Sequence, residues 1–441
     1  MDKVRAVGLK ILSEVWDKGA YANVALVQEM RRAEISGLDR RFLTELTYGA
    51  IKAGATLDWL IGRYVKRPLA KVDPLLRHIL RQGFYQLFFM DKVPPSAAVN
   101  EAVNLAKRYS HQGGAGFVNG VMRTAVREPG RAALPTKQDA KSLALRECHP
   151  EWLVKRWLKE FGYETAEALC RFDNAPPPLS LRVNTLKTSR AALLQDLAAA
   201  GIAAKASSLA PEGILVETPG ALEDWPPLQQ GLCQAQDESS MLVAQVVHPK
   251  PGAFVIDACS APGGKATHLA ALMENRGKIL AVDIHAHKLQ RVAENAARLG
   301  IDIITTELLD AREIGEKYAE SADFLLVDAP CSGLGVLRRR ADARWRKSAA
   351  QIKELAALQR AILEGSVKAL RPGGVLVYST CTVTPEENRD LVAVFLESHP
   401  EFISEDTGEF LPQKRPGEKL VQLLPPKDGT DGFFIARMRR R

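Results

Sequence analysis

The chain has 441 residues, more than one hydrophobic core usually serves, so two or three domains are expected. Its hydrophobic share of 46% and charged share of 25% are those of an ordinary soluble globular protein. No apolar run is long enough to span a bilayer, and the first residues lack the apolar segment of a signal peptide. We therefore expect a cytoplasmic protein without a membrane anchor.

The charge of +8 is unevenly distributed, because residues 1–145 carry +10 and residues 146–441 carry −2. A basic segment joined to a nearly neutral remainder is typical of a protein that attracts a polyanion such as a nucleic acid. A solvated basic surface without a partner is the alternative. The six cysteines show no paired metal-ligand spacing, so we expect reduced thiols and no metal ion.

Residues 1–130 have helical periodicity almost throughout, which predicts an all-α domain. We expect a flexible segment at Gly113–Gly116 and a linker at Pro129–Pro135. Residues 146–237 follow, with linker helices and then a small module in which strands at Leu179–Val183 and Gly213–Glu217 flank a helix.

From residue 238 to residue 441, short apolar strands alternate with helices, which predicts a parallel sheet covered on both faces. The last two strands, Leu420–Leu424 and Phe433–Met438, predict a hairpin at one edge of this sheet. Ligands bind at the carboxyl ends of the strands in such a sheet.

Acidic residues follow four successive predicted strands of this last domain: Asp257, Asp283, Asp310 and Asp328. A glycine-rich turn, Ala261–Lys265, also follows the first of them and lets the backbone approach a ligand at a helix start. Asp283 alone is as typical of a helix N-cap as of a ribose ligand. Four carboxylates at successive strand ends favour a site for a nucleoside cofactor.

Two cysteines, Cys331 and Cys381, each stand just after a buried strand, in Asp328-Ala-Pro-Cys331 and Ser379-Thr-Cys381. A cysteine near a strand is usually a packing residue, and we interpret Cys148, Cys170 and Cys233 in this way. A thiolate that adds to C6 of cytosine makes C5 nucleophilic toward a sulfonium methyl group. Two thiols and the Asp328 carboxylate suit such chemistry, but these patterns alone do not rank the thiols.

The motifs Asp257–Lys265, Asp328–Ser332 and Ser379–Cys381, followed by Pro385–Asn388, resemble those of the RNA cytosine-5 methyltransferases, the NOL/NOP/Sun family. The resemblance is closest to the bacterial group that acts on 16S ribosomal RNA, and it covers essentially the whole chain. It implies a NusB-like helical domain, a small α+β RRM-like module and a Rossmann-like class I methyltransferase domain at 1–130, 146–237 and 238–441.

The resemblance implies S-adenosyl-L-methionine as cofactor and assigns roles to individual residues. Cys381 is the nucleophile, Cys331 assists product release, and Asp328 binds the base and stabilises its charge. The cofactor contacts implied are Cys259, Ser260, Ala261, Pro262, Gly263, Gly264, Lys265, Asp283, Asp310 and Asp328.

We expect the RNA partner to be 16S ribosomal RNA or a partly assembled small subunit, met by a monomeric enzyme. Arg338, Arg339 and Arg340 are predicted to contact RNA phosphates, with a solvated loop as the alternative. A methyltransferase for another RNA (transfer RNA or 23S ribosomal RNA), a DNA cytosine-5 methyltransferase and a non-catalytic RNA-binding assembly factor remain rival hypotheses.

Overall fold

The computed structural model describes residues 2–217 and 225–441, which pack into two compact units. The N-terminal unit consists of the chain up to Pro176 together with Leu337–Arg346. The C-terminal unit consists of Pro177–Val336 and Lys347–Arg441. The predicted linker after residue 130 lies within the first unit, while the domain boundaries expected from the sequence stay a prediction.

The N-terminal unit is helical, as predicted. Its helices are α1 Lys3–Trp16, α2 Ala22–Arg32, α3 Gly37–Lys52, α4 Gly54–Gly62, α5 Pro74–Phe89, α6 Pro95–Tyr109, α7 Gln112–Arg127, α8 Ala140–Arg146 and α9 Glu151–Asn174. Gly162, with φ of 78°, kinks α9 between the two helices that the sequence predicts there. Asp2 is the N-cap of helix α1, and its side chain accepts a hydrogen bond from the backbone N–H of Arg5.

The prediction of a flexible segment at Gly113–Gly116 is wrong, because these residues form the first turns of α7. The His111 ring accepts a hydrogen bond from the N–H of Gly114 and caps the helix. A Cβ atom on Gly114 would lie 2.3 Å from the Ser110 hydroxyl oxygen. Close packing therefore explains this glycine, and the buried apolar residues further along α7 outweigh its low helix propensity.

The C-terminal unit begins with a four-stranded antiparallel sheet. Its elements are β1 Leu179–Val183, α10 Arg190–Ala199, β2 Ala204–Ala206, β3 Gly213–Val216, α11 Pro226–Gln229 and β4 Cys233–Ala235. The strand order is β2-β3-β1-β4. The βαββαβ succession with this order is the ferredoxin-like arrangement, which agrees with the predicted RRM-like module.

A larger sheet with helices occupies the rest of the unit. From residue 238 onward the elements are α12 Glu238–Val247, β5 Phe254–Asp257, α13 Gly264–Leu272, β6 Lys278–Asp283, α14 Ala286–Leu299, β7 Ile304–Leu308, α15 Ile314–Lys317, β8 Ala322–Asp328, α16 Ala343–Arg346, α17 Ala349–Ser366, β9 Leu370–Thr380, α18 Arg389–Ser398, β10 Phe402–Ser404, β11 Leu420–Leu423, α19 Pro425–Asp428 and β12 Phe433–Arg440. Of these, α16 lies in Leu337–Arg346 and belongs to the N-terminal unit. Strands β5 to β9 are parallel, in the order β9-β8-β5-β6-β7. The predicted alternation of strands and helices is thereby confirmed.

The C-terminal hairpin lies at one edge of the sheet, as the sequence predicts. Strand β12 pairs antiparallel with β9, with β11 and, further along, with β10. Strands β10 and β11, which among the described strands each pair only with β12, therefore form this edge of the sheet, and β12 lies inside it. The apolar, nearly continuous sequence of β12 fits this interior position, since its residues from Phe433 to Met438 are buried.

The order of the parallel strands fixes where a ligand can bind. The chain leaves β5 toward β6 on one side, and β8 lies on the other side, so the direction of winding reverses between β5 and β8. A crevice forms outside the carboxyl ends of the strands at such a reversal. No helix in the described ranges combines the length and the apolar character needed to cross a membrane.

The segment Leu337–Arg346 follows β8 in sequence but is part of the N-terminal unit. The indole N–H of Trp345 donates a hydrogen bond of 2.8 Å to the Ile51 carbonyl oxygen. The guanidinium of Arg346 donates to the Gly19 carbonyl oxygen at 3.0 Å. Side chains of this segment thus satisfy backbone acceptors of the helical unit.

Arg344 is fully buried in the same segment. Its guanidinium donates to the Cys148 carbonyl oxygen at 2.8 Å, to the Asn174 side-chain oxygen at 2.9 Å and to the Asp173 carbonyl oxygen at 3.2 Å. Burial raises the pKa of the Asp173 carboxyl to about 7, and the positive charge of Arg344 opposes that rise. Arg344 therefore compensates buried acceptors and a buried carboxyl.

Replacing Arg344 by alanine should destabilise the N-terminal unit by about 3–5 kcal/mol, because the change leaves these buried acceptors and Asp173 without their cation. Urea unfolding followed by tryptophan fluorescence reports on this unit, since five of the six tryptophans lie in it. Arg340→Ala, at an exposed position of the same segment, is the control. Equal stability of the two variants would contradict the role given to Arg344.

Candidate active site

The turn between β5 and α13 carries the predicted cofactor contacts Cys259 to Lys265. Gly263 has φ of 93°, in the left-handed region that favours glycine, and a Cβ atom there would lie 3.1 Å from Val292. Gly264 begins α13, and a Cβ atom there would only reach van der Waals contact with Gln236, at 3.8 Å. The turn therefore presents backbone and a helix N-terminus to the crevice.

Asp257, the last residue of β5, is 1% exposed. Both of its carboxyl oxygens lack a hydrogen-bond partner among the described residues. Burial, and next the nearby Asp328 carboxylate, raise the pKa of Asp257 to about 7. A buried carboxyl without a partner is expected where a bound group completes the site.

Asp283 and Asp310 lie at the ends of β6 and β7, as the sequence predicts. One oxygen of Asp283 accepts the backbone N–H of His285 at 2.9 Å, which closes a local turn before α14, whose N-cap residue is His285 and not Asp283. Asp310 forms an ion pair with Arg312 at 2.6 Å, and this hydrogen bond lowers the pKa of Asp310. Both carboxylates thus have local partners and stay only predicted cofactor contacts.

Asp328 ends β8 and has two partners that sequence reasoning missed. Its two carboxylate oxygens accept from the Lys265 ammonium at 2.7 Å and from the Ser379 hydroxyl at 2.8 Å. Burial lowers the pKa of Lys265, but the ion pair with Asp328 outweighs this and the net shift is upward. Ser379 was visible in the Ser-Thr-Cys motif, and Lys265 in the glycine turn, but nothing in the sequence joined them to Asp328.

The two motif cysteines lie side by side. The sulfur atoms of Cys331 and Cys381 are 3.2 Å apart, and both residues are partly exposed. The hydrogen bond with Cys381, and next burial, raise the pKa of the Cys331 thiol well above its ordinary value. Burial also raises the pKa of Cys259, which disfavours a thiolate nucleophile there and agrees with its implied place among the cofactor contacts.

Close backbone packing fixes the two cysteine loops. The N–H of Gly335 donates to the Cys381 carbonyl oxygen at 3.1 Å, and the Gly335 carbonyl oxygen accepts from the N–H of Gly432 at 2.8 Å. A Cβ atom on Gly335 would lie 2.1 Å from the Gly432 carbonyl oxygen. Only glycine fits where the loop after Cys331 passes so near the loop before β12.

The three arginines of the predicted RNA contact belong to the N-terminal unit. Arg338 is 5% exposed, and its guanidinium lies 4.2 Å from the Phe172 ring centroid. Arg339 is half-buried and Arg340 is exposed. Because Arg338 is buried, a phosphate could not reach it. Contact with RNA phosphates therefore stays a prediction for Arg339 and Arg340.

No cluster of three or more side chains suited to a metal ion occurs in residues 2–217 and 225–441. The groups that meet at the strand ends are thiols, carboxylates and one ammonium. Such a set supports nucleophilic and hydrogen-bonding chemistry on an organic substrate.

Comparisons with known proteins cover the whole chain. Residues 244–439 match the 16S rRNA methyltransferase RsmB/F family, residues 2–127 the NusB family, and residues 149–223 the ferredoxin-like domain of RsmF/B-like methyltransferases. The chain is 41% identical to the probable ribosomal RNA small subunit methyltransferase B of Bacillus subtilis, over 99% of both proteins. The chain belongs to the RsmB/F methyltransferase family. The Synechocystis protein of the same name is 38% identical over the full length of both.

Solved structures agree with this membership. The crystal structure of PH0851 matches with a TM-score of 0.85 and 28% identity, over 99% of this chain and 98% of that one. The structure of NSun6 from Pyrococcus horikoshii with SFG matches with a TM-score of 0.60 and 27% identity, over 66% and 98%. The family and the three-part fold class predicted from the sequence are confirmed.

Changing Asp257 to asparagine should alter how stability depends on pH. Because the folded pKa of about 7 lies above the ordinary value of 3.8, this carboxyl costs stability as pH rises from about 4 to 7. Above pH 7 the cost reaches roughly 4 kcal/mol, at about 1.4 kcal/mol for each pKa unit. Asp257→Asn should remove that loss, so the variant gains stability relative to the wild type as pH rises from about 4 to 7 and keeps this advantage at higher pH. Parallel stability curves for the two proteins, measured by urea unfolding without cofactor, would contradict the raised pKa.

Proposed function

We propose that this protein transfers a methyl group from S-adenosyl-L-methionine to C5 of a cytosine in 16S ribosomal RNA, through a covalent bond between Cys381 and C6 of the base. The observation that carries the proposal is the contact of two thiols, 3.2 Å apart, at the end of the crevice that also holds Asp328. Family membership supports the methyltransferase reaction, and the relatives named above are described as small-subunit ribosomal RNA methyltransferases.

The residues at the strand ends fit a nucleoside cofactor that carries a sulfonium group. The glycine turn presents backbone at Gly263 and Gly264, and both oxygens of the buried Asp257 carboxyl, at the end of the preceding strand, lack a hydrogen-bond partner among the described residues. Ile284 and Leu308 are each 59% exposed at the ends of β6 and β7, where apolar surface suits an adenine ring. Asp283 lies between these features and suits a ribose hydroxyl. When bound, the cofactor supplies a methyl group on a positively charged sulfur.

The chain's own residues account for the remaining chemistry. The Cys381 sulfur forms a bond to C6, and the electron pair of the C5–C6 double bond becomes available at C5. Asp328, held by Lys265 and Ser379, accepts from the exocyclic amine and offsets the charge that develops on the base. After C5 is methylated, a base removes the C5 proton, the double bond forms again, and Cys381 leaves as a thiolate.

Cys331 is proposed to assist this last stage. Its sulfur lies 3.2 Å from that of Cys381, close enough to exchange a proton with the departing sulfur during release. The assignment of attack to Cys381 and release to Cys331 follows the family resemblance. Three rival functions differ in substrate: another RNA, DNA, or none for a non-catalytic assembly factor.

We infer that the RNA partner is 16S ribosomal RNA or a partly assembled small subunit, met by a cytoplasmic monomer through its basic helical domain. Methyl transfer from tritiated S-adenosyl-L-methionine to 16S RNA, transfer RNA, 23S RNA or DNA separates the rivals. Activity on 16S RNA alone supports the proposal. Activity on DNA, or on no substrate, would overturn it.

Serine substitutions at the two thiols should differ in kind. Cys381→Ser removes the attacking sulfur, so methylation and covalent complex should both disappear. Cys331→Ser leaves attack and methyl transfer possible but impairs release, so a protein–RNA complex should accumulate and survive denaturing electrophoresis. Reducing agent should not release it, because the bond is a thioether.

Cys233→Ala is the control, because Cys233 is buried in the small antiparallel sheet away from the strand ends. It should methylate RNA as the wild type does and trap nothing. Trapping in Cys381→Ser instead of Cys331→Ser would reverse the assignment of the two thiols.

Removing exposed cations from the N-terminal unit should weaken RNA binding. Arg63, Lys66 and Arg67 are exposed in residues 63–71, a stretch without acidic residues. The triple alanine variant should lower RNA affinity and reduce the slope of log K against log salt by about 0.7–0.9 for each phosphate that the protein no longer neutralises. Fluorescence anisotropy with labelled RNA at several salt concentrations measures both quantities.

The matched control removes the same residue types where they are already neutralised. Lys18, Arg32 and Arg131 form ion pairs with Glu14, Glu29 and Glu128. Their triple alanine variant should change the salt slope less. The same slope in wild type and in the Arg63, Lys66 and Arg67 variant would remove this stretch from the RNA surface.

A further inference from the structure

Glu387 is a fully buried carboxylate beside the cysteine loops, and the reaction described above does not use it. One of its oxygens accepts from the Ser332 N–H at 2.8 Å and from the Gln359 amide at 2.9 Å. The other accepts from the hydroxyls of Ser332 and Thr384. Four donors converge on one side chain, so its position is strongly determined.

Two of these four donors belong to the residue after Cys331, and a third links Glu387 to the residue before it. Ser332 follows that cysteine directly, and both its N–H and its hydroxyl bind Glu387. Pro330 precedes it, and its carbonyl oxygen accepts from the Gln359 amide at 2.9 Å. The loop that carries Cys331 is therefore tied to Glu387 on one side directly and on the other through Gln359.

The same cluster reaches the second thiol. Thr382 follows Cys381, and its hydroxyl lies 2.8 Å from the Ser332 hydroxyl. The backbone carbonyl oxygen of Glu387 accepts from the Tyr378 hydroxyl at 2.7 Å, on the strand that leads into the Ser-Thr-Cys motif. Both cysteine-bearing segments are thus linked by hydrogen bonds to one buried residue, Glu387.

We propose that Glu387 is a positioning residue that holds the Cys331 loop against Cys381, so that the second thiol acts on the covalent adduct. The inference rests on the proposed function, since it concerns the release stage of that reaction. A mutation far from the reacting bond can lower the rate by about a hundredfold when it displaces a reacting group by 1 Å. Loss of the Glu387 carboxylate should therefore affect release more than attack.

The first variant is Glu387→Ala. Its steady-state methylation should fall by about 10- to 100-fold, while methyl transfer in a single turnover falls much less. A protein–RNA complex resistant to denaturation should accumulate, as in Cys331→Ser. Parallel loss of single-turnover and steady-state rates, without trapped complex, would overturn the positioning role.

Glu387→Gln separates geometry from charge. Its amide oxygen can accept from the two N–H donors, and its amide nitrogen can face the hydroxyls of Ser332 and Thr384, which rotate to accept. A positioning role predicts that this variant recovers most of the turnover. Equal damage in the glutamine and alanine variants would show that the negative charge is what matters, and would overturn the proposal.

Gln359→Met decides the matter if the alanine variant does not fold, because it breaks only the link between Pro330 and Glu387. It should trap the complex to a smaller extent, and no trapping in a folded protein would contradict the proposal. Glu364→Ala is the control. Glu364 is a partly exposed residue whose carboxylate pairs with Arg360, and this variant should behave as wild type. If Cys331→Ser itself never traps RNA, the proposed function fails; if it traps RNA and Glu387→Ala does not, only this inference fails.

Discussion

The pairing of the parallel strands β8 and β9 is the constraint on which the candidate site depends. Their register places Asp328 opposite Ser379, so two motifs 50 residues apart in the chain end at the same level of the sheet. The Asp328–Ser379 hydrogen bond and the contact of Cys331 with Cys381 follow from that register. A slip of one residue would turn these side chains to opposite faces of the sheet.

The carboxylates Asp257 and Asp328 lie close to the same cation, Lys265. Lys265 pairs with Asp328, and this leaves Asp257 buried beside a carboxylate that is already neutralised. The pKa of Asp257 is raised because burial, and next the Asp328 carboxylate, outweigh the attraction of Lys265. The crevice can therefore admit a positively charged sulfonium group without burying a further unpaired charge, which is the electrostatic basis for the proposed cofactor.

Much of the fold could be predicted from the sequence, because its signals are local. The period of apolar residues predicted the helices of the N-terminal unit and strands β5 to β9, and Leu179–Val183 agrees with β1 in full. The prediction for Gly113–Gly116 was wrong because tertiary packing outweighed glycine's propensity. The missed partners of Asp328, and the burial of Arg338 against Phe172, depend on contacts between distant residues that no local pattern encodes.

The Pro385–Asn388 motif could be recognised in the sequence, but the role of its residues could not be inferred from the sequence alone. As a sequence it supported only the family resemblance, whereas in the folded protein Glu387 receives four donors from the surroundings of Cys331 and Cys381. A buried carboxylate is costly to desolvate, and hydrophobic side chains of similar volume would often stabilise a fold as well. That this position holds a fully satisfied polar network beside two thiols therefore argues for a geometric requirement of the chemistry, since packing alone would not require it.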